Sequence, residues 1–166
     1  DKLDNIKILM LENNNLKGGV SASSGKLMIP LKYDYLDTSS NYIKASLPNT
    51  KLSDVYDTKG KLLFSNVTQI KRLKDYYYRV SSNGKVGVIS RNKIILDAKY
   101  DFIKSFDNLT VFLVKDKEKY GLVNYNNQFL ISLGKYKINI DETKNIVNWK
   151  GKNHMISLGK LIELKK

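Results

Sequence analysis

The densest group of residues suited to ligand chemistry is a run of three tyrosines at positions 76–78 with basic residues on both sides. Aromatic faces stack on sugars or bases, and neighbouring cations hold phosphate or sulfate. Because side chains alternate across a strand, Tyr76 and Tyr78 are predicted to share one face. The more common interpretation is that tyrosine is simply a favourable strand residue whose hydroxyl reaches water. The predicted ligand-binding residues of this group are Tyr76, Tyr78, Lys71, Lys74 and Arg79.

The sequence contains few residues that could bind a metal ion or activate a nucleophile. His154 is the only histidine and there is no cysteine, so a zinc site would lack the nitrogen and sulfur ligands that it needs. A histidine-activated nucleophile would also depend on this one residue. We therefore expect a partly exposed structural role for His154, and we predict neither a metal site nor a cofactor.

One stretch partly resembles a phosphate-binding loop. Residues 19–27 have five residues between Gly19 and Gly25 where a phosphate loop has four, and Leu27 replaces the hydroxyl that would hold magnesium. The stretch also precedes a strand instead of a helix. It is interpreted as a hairpin turn.

Paired carboxylates could hydrolyse glycosides, but the available pairs occupy turns and connecting segments, where aspartate has a structural role. No catalytic residue is therefore predicted, and the chain is not expected to be an enzyme. The three pairs considered are Asp34 with Asp37, Asp97 with Asp101, and Asp141 with Glu142.

A repeat of about 34 residues positions all of these groups. Each copy contains a first strand, a turn, a second strand, a turn and a third strand. The centres of the second strands are separated by 35, 33, 34 and 33 residues, a regularity that indicates copied and stacked supersecondary units. These centres are Val20, Val55, Val88, Leu122 and Met155.

The strands are short, bounded by turn signals and rich in Val, Ile, Tyr and Leu, which predicts β-structure. The first strands are predicted at residues 6–11, 42–47, 76–80, 110–114 and 145–149. Positive φ angles are expected in the second turns, where glycine and asparagine are tolerated best. The residues concerned are Gly25, Gly60, Asn92, Asn127 and Gly159.

A connector follows the third strand and begins with Lys-Tyr-Asp in the first and third copies, at residues 32–34 and 99–101. The aspartate is predicted to cap a short helical turn or a bend, and the apolar residues after it to hold the connector on the sheet. The fourth copy keeps a remnant at residues 135–138, and the second copy, at residues 66–70, has lost the motif.

These motifs resemble the WG-repeat family of bacterial proteins. The resemblance is carried by the Gly-Lys-Val-Gly start and Lys-Tyr-Asp end of residues 84–103, by Lys119-Tyr120-Gly121, and by residues 25–34, and it spans essentially the whole chain. It implies a repeat scaffold with no specified reaction, and an exported or surface-associated protein. No copy keeps the tryptophan of the Trp-Gly pair. The corresponding pairs are Gly18-Gly19, Ser53-Asp54, Val86-Gly87, Tyr120-Gly121 and Asn153-His154.

Composition limits the possible partners. The net charge is +13, from 29 basic and 16 acidic residues, which favours anionic partners but also serves solubility. Only three of the bases are arginine, which argues against base readout in DNA. No apolar run is long enough for a transmembrane helix.

The predicted fold is all-β, with five tandem three-stranded antiparallel units in an open solenoid-like array. A closed five-bladed propeller is the alternative, and the short repeat favours the array. The single domain spans residues 1–166, with units at approximately 1–37, 38–71, 72–104, 105–141 and 142–166.

The predicted function is that of a non-catalytic scaffold or binding module of a bacterial exported or surface protein. It would present a basic, tyrosine-rich face to a protein or an anionic polymer, and we expect it to be monomeric. The alternative is a nucleic-acid-binding repeat protein that uses lysine–phosphate contacts.

Overall fold

A computed structural model describes residues 8–38 and 41–164 of the chain, and these residues form strands joined by turns. The all-β prediction is confirmed. The start of the predicted first strand, residues 6–7, lies outside the described residues. We group the strands into five units, A to E, by their hydrogen-bonded sheets.

Unit A contains β1 (Ile8–Asn13), β2 (Leu16–Ser21) and β3 (Leu27–Tyr33). Unit B contains β4 (Tyr35–Asp37), β5 (Ile43–Ser46), β6 (Ser53–Tyr56) and the first part of β7 (Leu62–Lys74). Unit C contains the rest of β7, with β8 (Tyr77–Ser82), β9 (Lys85–Ser90) and β10 (Lys93–Tyr100). Unit D contains β11 (Phe102–Ser105), β12 (Val111–Asp116), β13 (Lys119–Asn124) and β14 (Phe129–Gly134). Unit E contains β15 (Ile138–Asp141), β16 (Ile146–Trp149), β17 (Lys152–Ser157) and β18 (Lys160–Glu163).

The predicted count of three strands in a unit is corrected to four in units B to E, because the connector itself forms a strand. The connector strands β4, β11 and β15 each pair antiparallel with the first strand of the following unit. Asp34 and Asp101 make the bend that was predicted at this point. Their backbone N–H groups donate to the carbonyls of Ser46 and Lys115, at 3.1 and 2.8 Å, so that the chain turns directly into the next sheet.

The unit that has lost Lys-Tyr-Asp has also lost this bend. Its third strand, β7, runs for 13 residues and pairs with β6 on one side and β8 on the other. Units B and C therefore form a single sheet of seven strands, from β4 to β10, whereas units D and E each have a sheet of four. Where Lys-Tyr-Asp follows the third strand the sheet ends at the aspartate, and where the motif is lost altogether the strand continues into the next unit.

The hydrophobic core lies between consecutive units. Ile29 and Ile43 belong to a cluster between units A and B, and Val67 and Ile89 to one between B and C. The clusters between C and D and between D and E are built in the same way. Among the described residues, no cluster joins unit A to unit E, which is the arrangement predicted for an open array.

Polar contacts between units repeat the period of the sequence. The Thr58 N–H donates to the Asn92 side-chain carbonyl at 3.1 Å, 34 residues along the chain. The Asn124 amide donates to the Gly159 carbonyl at 3.2 Å, 35 residues along. The predicted positive φ angles of the second turns are also confirmed, with values between 62° and 80° at all five positions. The described part of the chain contains no helix that could cross a membrane.

Candidate binding site

The tyrosine and lysine group predicted to bind a ligand lies on the hairpin of β7 and β8. Lys71 and Lys74 belong to β7, Tyr78 and Arg79 to β8, and Tyr76 to the turn between the two strands. The hairpin brings all five residues within one structural element. It does not bring their side chains to one face.

Strand pairing places the basic side chains of Lys71 and Arg79 on a different face of the hairpin from the Tyr78 ring. Lys71 lies opposite Arg79, whereas Tyr78 lies opposite Arg72. Opposed residues share a face and consecutive residues alternate, so Lys71 and Arg79 occupy one face and Tyr78 the other. Tyr78 packs edge to face on Tyr42, with ring centres 5.1 Å apart, and belongs to the packing between units B and C.

The prediction that Tyr76 and Tyr78 share a strand face was wrong, because the chain turns at Tyr76 before β8 begins. Tyr76 is exposed, and the Arg91 guanidinium lies over its ring at 4.7 Å. The Lys74 ammonium donates to the backbone carbonyl of Asp107 in unit D. Lys74 therefore helps to connect two units, and the ligand-binding role of the five residues stays a prediction.

A second group of aromatic and basic residues surrounds a pocket of about 530 Å³ between units D and E. Two rings and two apolar side chains form its walls, while three charged side chains reach its rim. Its volume lies within the range of about 300–1,000 Å³ that is usual for small-ligand sites. The lining residues are Leu113, Glu118, Tyr120, Lys135, Tyr136, Lys137 and Ile138.

The pocket lies where unit D departs from the repeat. In unit C, the buried Tyr100 pairs with Val86 at the end of the third strand, and the equivalent pair in unit D is Gly134 with Tyr120. Unit D thus has no side chain where other units place a buried tyrosine. Tyr136, two residues later, folds its ring over Gly134, where any Cβ atom would overlap it. The pocket lies beside this displaced ring.

Charge around the pocket is mostly positive. Lys135 forms an ion pair with Glu118 at 3.0 Å, and both side chains are largely exposed. Lys137 is exposed and has no ion-pair partner among the residues that the structure describes. The Lys150 ammonium lies 5.9 Å from the centre of the Tyr136 ring. Burial raises the pKa of Tyr136, and its hydroxyl donates to the backbone carbonyl of Ser132.

Trp149 and His154 support the pocket from unit E. The Tyr136 ring meets Trp149 edge to face, with centres 5.8 Å apart, and His154 lies 5.8 Å beyond Trp149. His154 is 7% exposed, so the prediction of a partly exposed histidine was wrong. It faces inward because it lies opposite the buried Val147. The described residues contain no cluster of ligands suited to a metal ion.

The carboxylates considered for catalysis make turn contacts instead. Asp101 accepts a hydrogen bond from the Lys85 ammonium at 2.8 Å and another from the Lys117 backbone, and these contacts lower the pKa of Asp101. Asp141 accepts bonds from the backbone of Thr143 and Lys144. Both arrangements are those of aspartates that hold a bend.

Sequence reasoning missed the pocket, although the signal was present. The fourth copy reads Gly134-Lys135-Tyr136-Lys137 where two others have Lys-Tyr-Asp after an uninterrupted strand. The extra glycine shifts the tyrosine by two positions in the sheet register, and a lysine replaces the bend aspartate. The first change leaves no ring at a position that is buried in units A and C, and the second changes the charge of the exposed surface beside it.

Together, the fold and the pocket define a tandem β-repeat protein with a pocket at the junction between units D and E. A family model described as "WG containing repeat" matches residues 90–119, which confirms the predicted resemblance for that segment. The matched residues run from the end of β9 to the start of β13. No curated protein matches this chain.

Several solved structures are similar in outline. Kluyveromyces lactis Hsv2 is 11% identical with a TM-score of 0.37, covering 96% of this chain and 60% of that one. The N-terminal domain of Nup159 is 10% identical with a TM-score of 0.33, covering 95% and 58%. The dihydro-heme d1 dehydrogenase NirN is 12% identical with a TM-score of 0.32, covering 100% and 44%. The chain therefore spans less than two thirds of each of these structures.

Proposed function

We propose that this chain is a non-catalytic binding module that takes an anionic group of a macromolecular partner into the pocket between units D and E. The group is a carboxylate or sulfate, carried by an acidic polysaccharide or by a protein. Tyr120 and Tyr136 supply flat apolar walls, while Lys135 and Lys137 supply positive charge.

The observation that carries the proposal is the glycine at position 134. It removes a side chain from a place where units A and C bury a whole tyrosine, and it leaves a concave surface at a junction that is otherwise packed. A concave, partly apolar site with a few convergent polar groups is the usual form of a ligand site. Loss of packing without a ligand would only destabilise this junction.

The polar groups favour an anion over a neutral ligand. Lys135 and Lys137 both reach the rim, and only one carboxylate, Glu118, lines the pocket. The rings add stacking on a sugar or contact with an aliphatic chain. Lysine acts as a point charge and lacks the planar fork with which arginine forms paired hydrogen bonds, so the site suits a charged polymer or peptide better than a specific nucleic-acid sequence.

The test is a titration of the protein with polygalacturonate, poly-glutamate and duplex DNA at low and physiological salt. We expect one of the two carboxylate polymers to bind at physiological salt, and Lys137→Glu to weaken that binding by at least about tenfold. Lys51→Glu is the matched control, because it makes the same charge change on an exposed turn of unit B. Equal losses in both variants would mean that net charge alone drives binding.

The rings are tested separately from the charge. Tyr120→Ser removes one wall of the pocket and leaves every lysine in place. We expect this variant to bind the preferred carboxylate polymer more weakly and to bind DNA with unchanged, salt-sensitive affinity. If Tyr120→Ser leaves the affinity for all three polymers unchanged, the pocket is not the site.

We also propose that the module acts outside the cytoplasm of a bacterial cell and as a monomer, in line with the family resemblance. Cell fractionation with an antibody against the chain tests the first point. Sedimentation of the purified protein tests the second, since a dimer would double the mass of 19.0 kDa.

A further inference from the structure

The pocket between units D and E continues onto the sheet of unit D. Leu113, on β12, lines the pocket, and Lys115 is the next residue of that strand to face the same side. Lys115 lies opposite Tyr120, which also lines the pocket, and its ammonium is 5.5 Å from the centre of the Tyr120 ring. Lys115 therefore lies at the margin of the pocket.

An exposed aromatic ring lies on the far side of Lys115. Phe102, on β11, pairs with Lys115, which in turn pairs with Tyr120 on β13. Opposed residues share a face, so these three side chains follow one another across the strands on one side of the sheet. Phe102 is 41% exposed. We call Phe102, Lys115 and Tyr120, together with the pocket, the extended site.

The extended site is longer than a single ligand group. Its ends are Phe102 on β11 and Gly134 on β14, at the two edges of the sheet of unit D. Neighbouring strands of a sheet lie about 4.8 Å apart, so these two residues, three strands from each other, are separated by about 14 Å. One sugar ring is much shorter than this distance. The extended site therefore has the length of a short oligosaccharide.

Lys115 adds a second positive charge to that of Lys137 in the pocket. The acids beside it are engaged elsewhere, since Asp101 and Asp116 both form ion pairs with Lys85, at 2.8 and 3.6 Å. Lys115 itself forms no ion pair within residues 8–38 and 41–164. Two positive charges at separate points of one surface match a polymer that carries a carboxylate on successive units.

The backbone beneath the extended site is already paired. β12 and β13 are interior strands of their sheet, each hydrogen-bonded to a neighbour on both sides. A peptide that binds a sheet through its backbone adds to a free strand edge, which these two strands do not offer. Recognition there depends on side chains: flat rings that contact the C–H face of a sugar, and ammonium groups that pair with carboxylates.

We propose that the extended site binds a segment of an acidic polysaccharide. One sugar carboxylate enters the pocket beside Lys137, a further carboxylate pairs with Lys115, and the sugar rings contact Tyr120 and Phe102. This inference rests on the proposed function, because the pocket receives the first anionic group. It adds the class of ligand, a chain of carboxylated sugars, and it adds Phe102 and Lys115 as residues that select for the length of that chain.

The experiment compares galacturonate with trigalacturonate by NMR titration of the protein at physiological salt. We expect the trimer to bind at least about tenfold more tightly than the monomer, and to shift the amide signals of Phe102 and Lys115, which the monomer leaves unchanged. Triglutamate and the methyl ester of trigalacturonate should each bind at least about tenfold more weakly than trigalacturonate. The first keeps the charge without the sugar rings, and the second keeps the rings without the charge.

Two variants test the residues outside the pocket. Phe102→Thr should weaken the trimer by about tenfold and leave the monomer unchanged, since threonine suits a strand but has no ring. Tyr35→Thr is the matched control, because Tyr35 is the equivalent exposed ring of unit B but lies opposite Ser46 instead of a lysine. Lys115→Gln should weaken the trimer by about fivefold, and it decides if Phe102→Thr does not fold.

The outcomes separate this inference from the proposed function. Equal affinities for monomer and trimer, equal binding of triglutamate, or undiminished trimer binding by the Phe102 and Lys115 variants would overturn the extended site. A loss of binding in Lys137→Glu would still support the pocket in each of these cases. If neither galacturonate binds but poly-glutamate does, and Lys137→Glu loses it, the pocket stands and the polysaccharide is excluded. If Lys137→Glu leaves the binding of galacturonate and trigalacturonate unchanged, both proposals are wrong.

Discussion

A buried tyrosine lies both at the junction between units A and B and at the junction between units C and D. The two tyrosines differ in the hydrogen bonding of their hydroxyl groups. Tyr33 and Tyr100 both end the third strand of their unit and are both almost fully buried. The Tyr33 hydroxyl donates to the Asp54 carboxylate at 2.7 Å, and Tyr56 completes the network by sharing a hydrogen bond with Tyr33. The Tyr100 hydroxyl has no hydrogen-bond partner among the described residues.

The difference lies in the unit that receives the tyrosine. In unit B, Asp54 occupies the place of the repeat glycine, and Asn66 on the facing strand adopts a φ of 52° and donates its N–H to Asp54 at 3.3 Å. In unit D, the residues equivalent to Asp54 and Tyr56 are Gly121 and Val123, which offer no side-chain acceptor. A buried tyrosine therefore serves as an apolar body at both of these junctions, and its hydroxyl is stabilised only where the neighbouring unit has an acid.

The junction between units D and E extends the comparison. Gly134 takes the strand position of the tyrosine, so neither the apolar body nor the hydroxyl is present there. The three junctions thus form a series. The tyrosine hydroxyl is hydrogen-bonded at the first junction and has no partner at the second, and the tyrosine is absent from the third. The pocket described above lies at the last of them.

The largest effect is expected from Asp54→Ala. It leaves the buried Tyr33 hydroxyl and the Asn66 N–H without their acceptor, and it removes the partner of Lys32 at 3.3 Å. We expect a loss of about 3 kcal/mol in the free energy of unfolding, because buried unpaired groups carry their full desolvation penalty. Urea denaturation followed by circular dichroism measures it. Asp54→Asn should fall between, since one side-chain oxygen remains.

A matched pair of substitutions tests the two junctions directly. Tyr33→Phe should cost about 2 kcal/mol, because it leaves the Asp54 carboxylate short of a donor. Tyr100→Phe should change stability by less than about 0.5 kcal/mol or increase it, because the hydroxyl it removes has no partner. Equal losses in the two variants would show that the Asp54 network does not distinguish the junctions.

A smaller effect is expected at the third junction from Gly134→Ala. The added Cβ meets the Tyr136 ring, which has to swing outward. We expect a loss of about 1 kcal/mol and a weaker affinity for the ligand of the pocket. Ser132→Ala, two residues earlier at an exposed position of β14, is the control and should change neither quantity. Unaltered ligand affinity in Gly134→Ala would separate the ring from the pocket.

The smallest effect is on the pH dependence of stability. Burial raises the pKa of both Tyr33 and Tyr100 above the ordinary value of 10.0, and hydrogen bonds raise that of Tyr33 further. Their contribution is complete below pH 10 and is lost as the pH rises through the folded-state pKa values. The decline in the urea midpoint above about pH 10 should therefore become shallower in both phenylalanine variants. An unchanged slope in Tyr100→Phe would argue against a buried phenol at that position.

The sequence predicted the features that depend on short-range chemistry. Strand composition, the period of the repeat and the turn residues Gly60 and Asn92 each follow from local preferences, and the structure agrees with them. The connector strands were missed because their pairing depends on where the bend at Asp34 directs the chain. That direction follows from backbone hydrogen bonds to another unit, which no local pattern encodes.

The candidate site was harder to predict for the same reason. Residues 76–78 were predicted to contribute to a binding face because three tyrosines are adjacent in sequence. Strand alternation and the turn at Tyr76 direct their side chains to different sides. The pocket is formed by Tyr120 and Tyr136, which are 16 residues apart and meet only through the register of β13 and β14.

The continuous strand β7 also determines how the array comes apart. In stacked repeats, each unit is stabilised by its own folding and by its interface with a neighbour. The unit with the lowest sum of these two contributions unfolds first. Units B and C share one hydrogen-bonded backbone through β7, so neither can unravel without breaking the strand of the other. They should exchange their amide hydrogens as one cooperative block, while units D and E, joined only by side-chain packing and the short connector at residues 135–137, open separately. The loss of a three-residue motif thus joins two of the five units into one block that unfolds cooperatively.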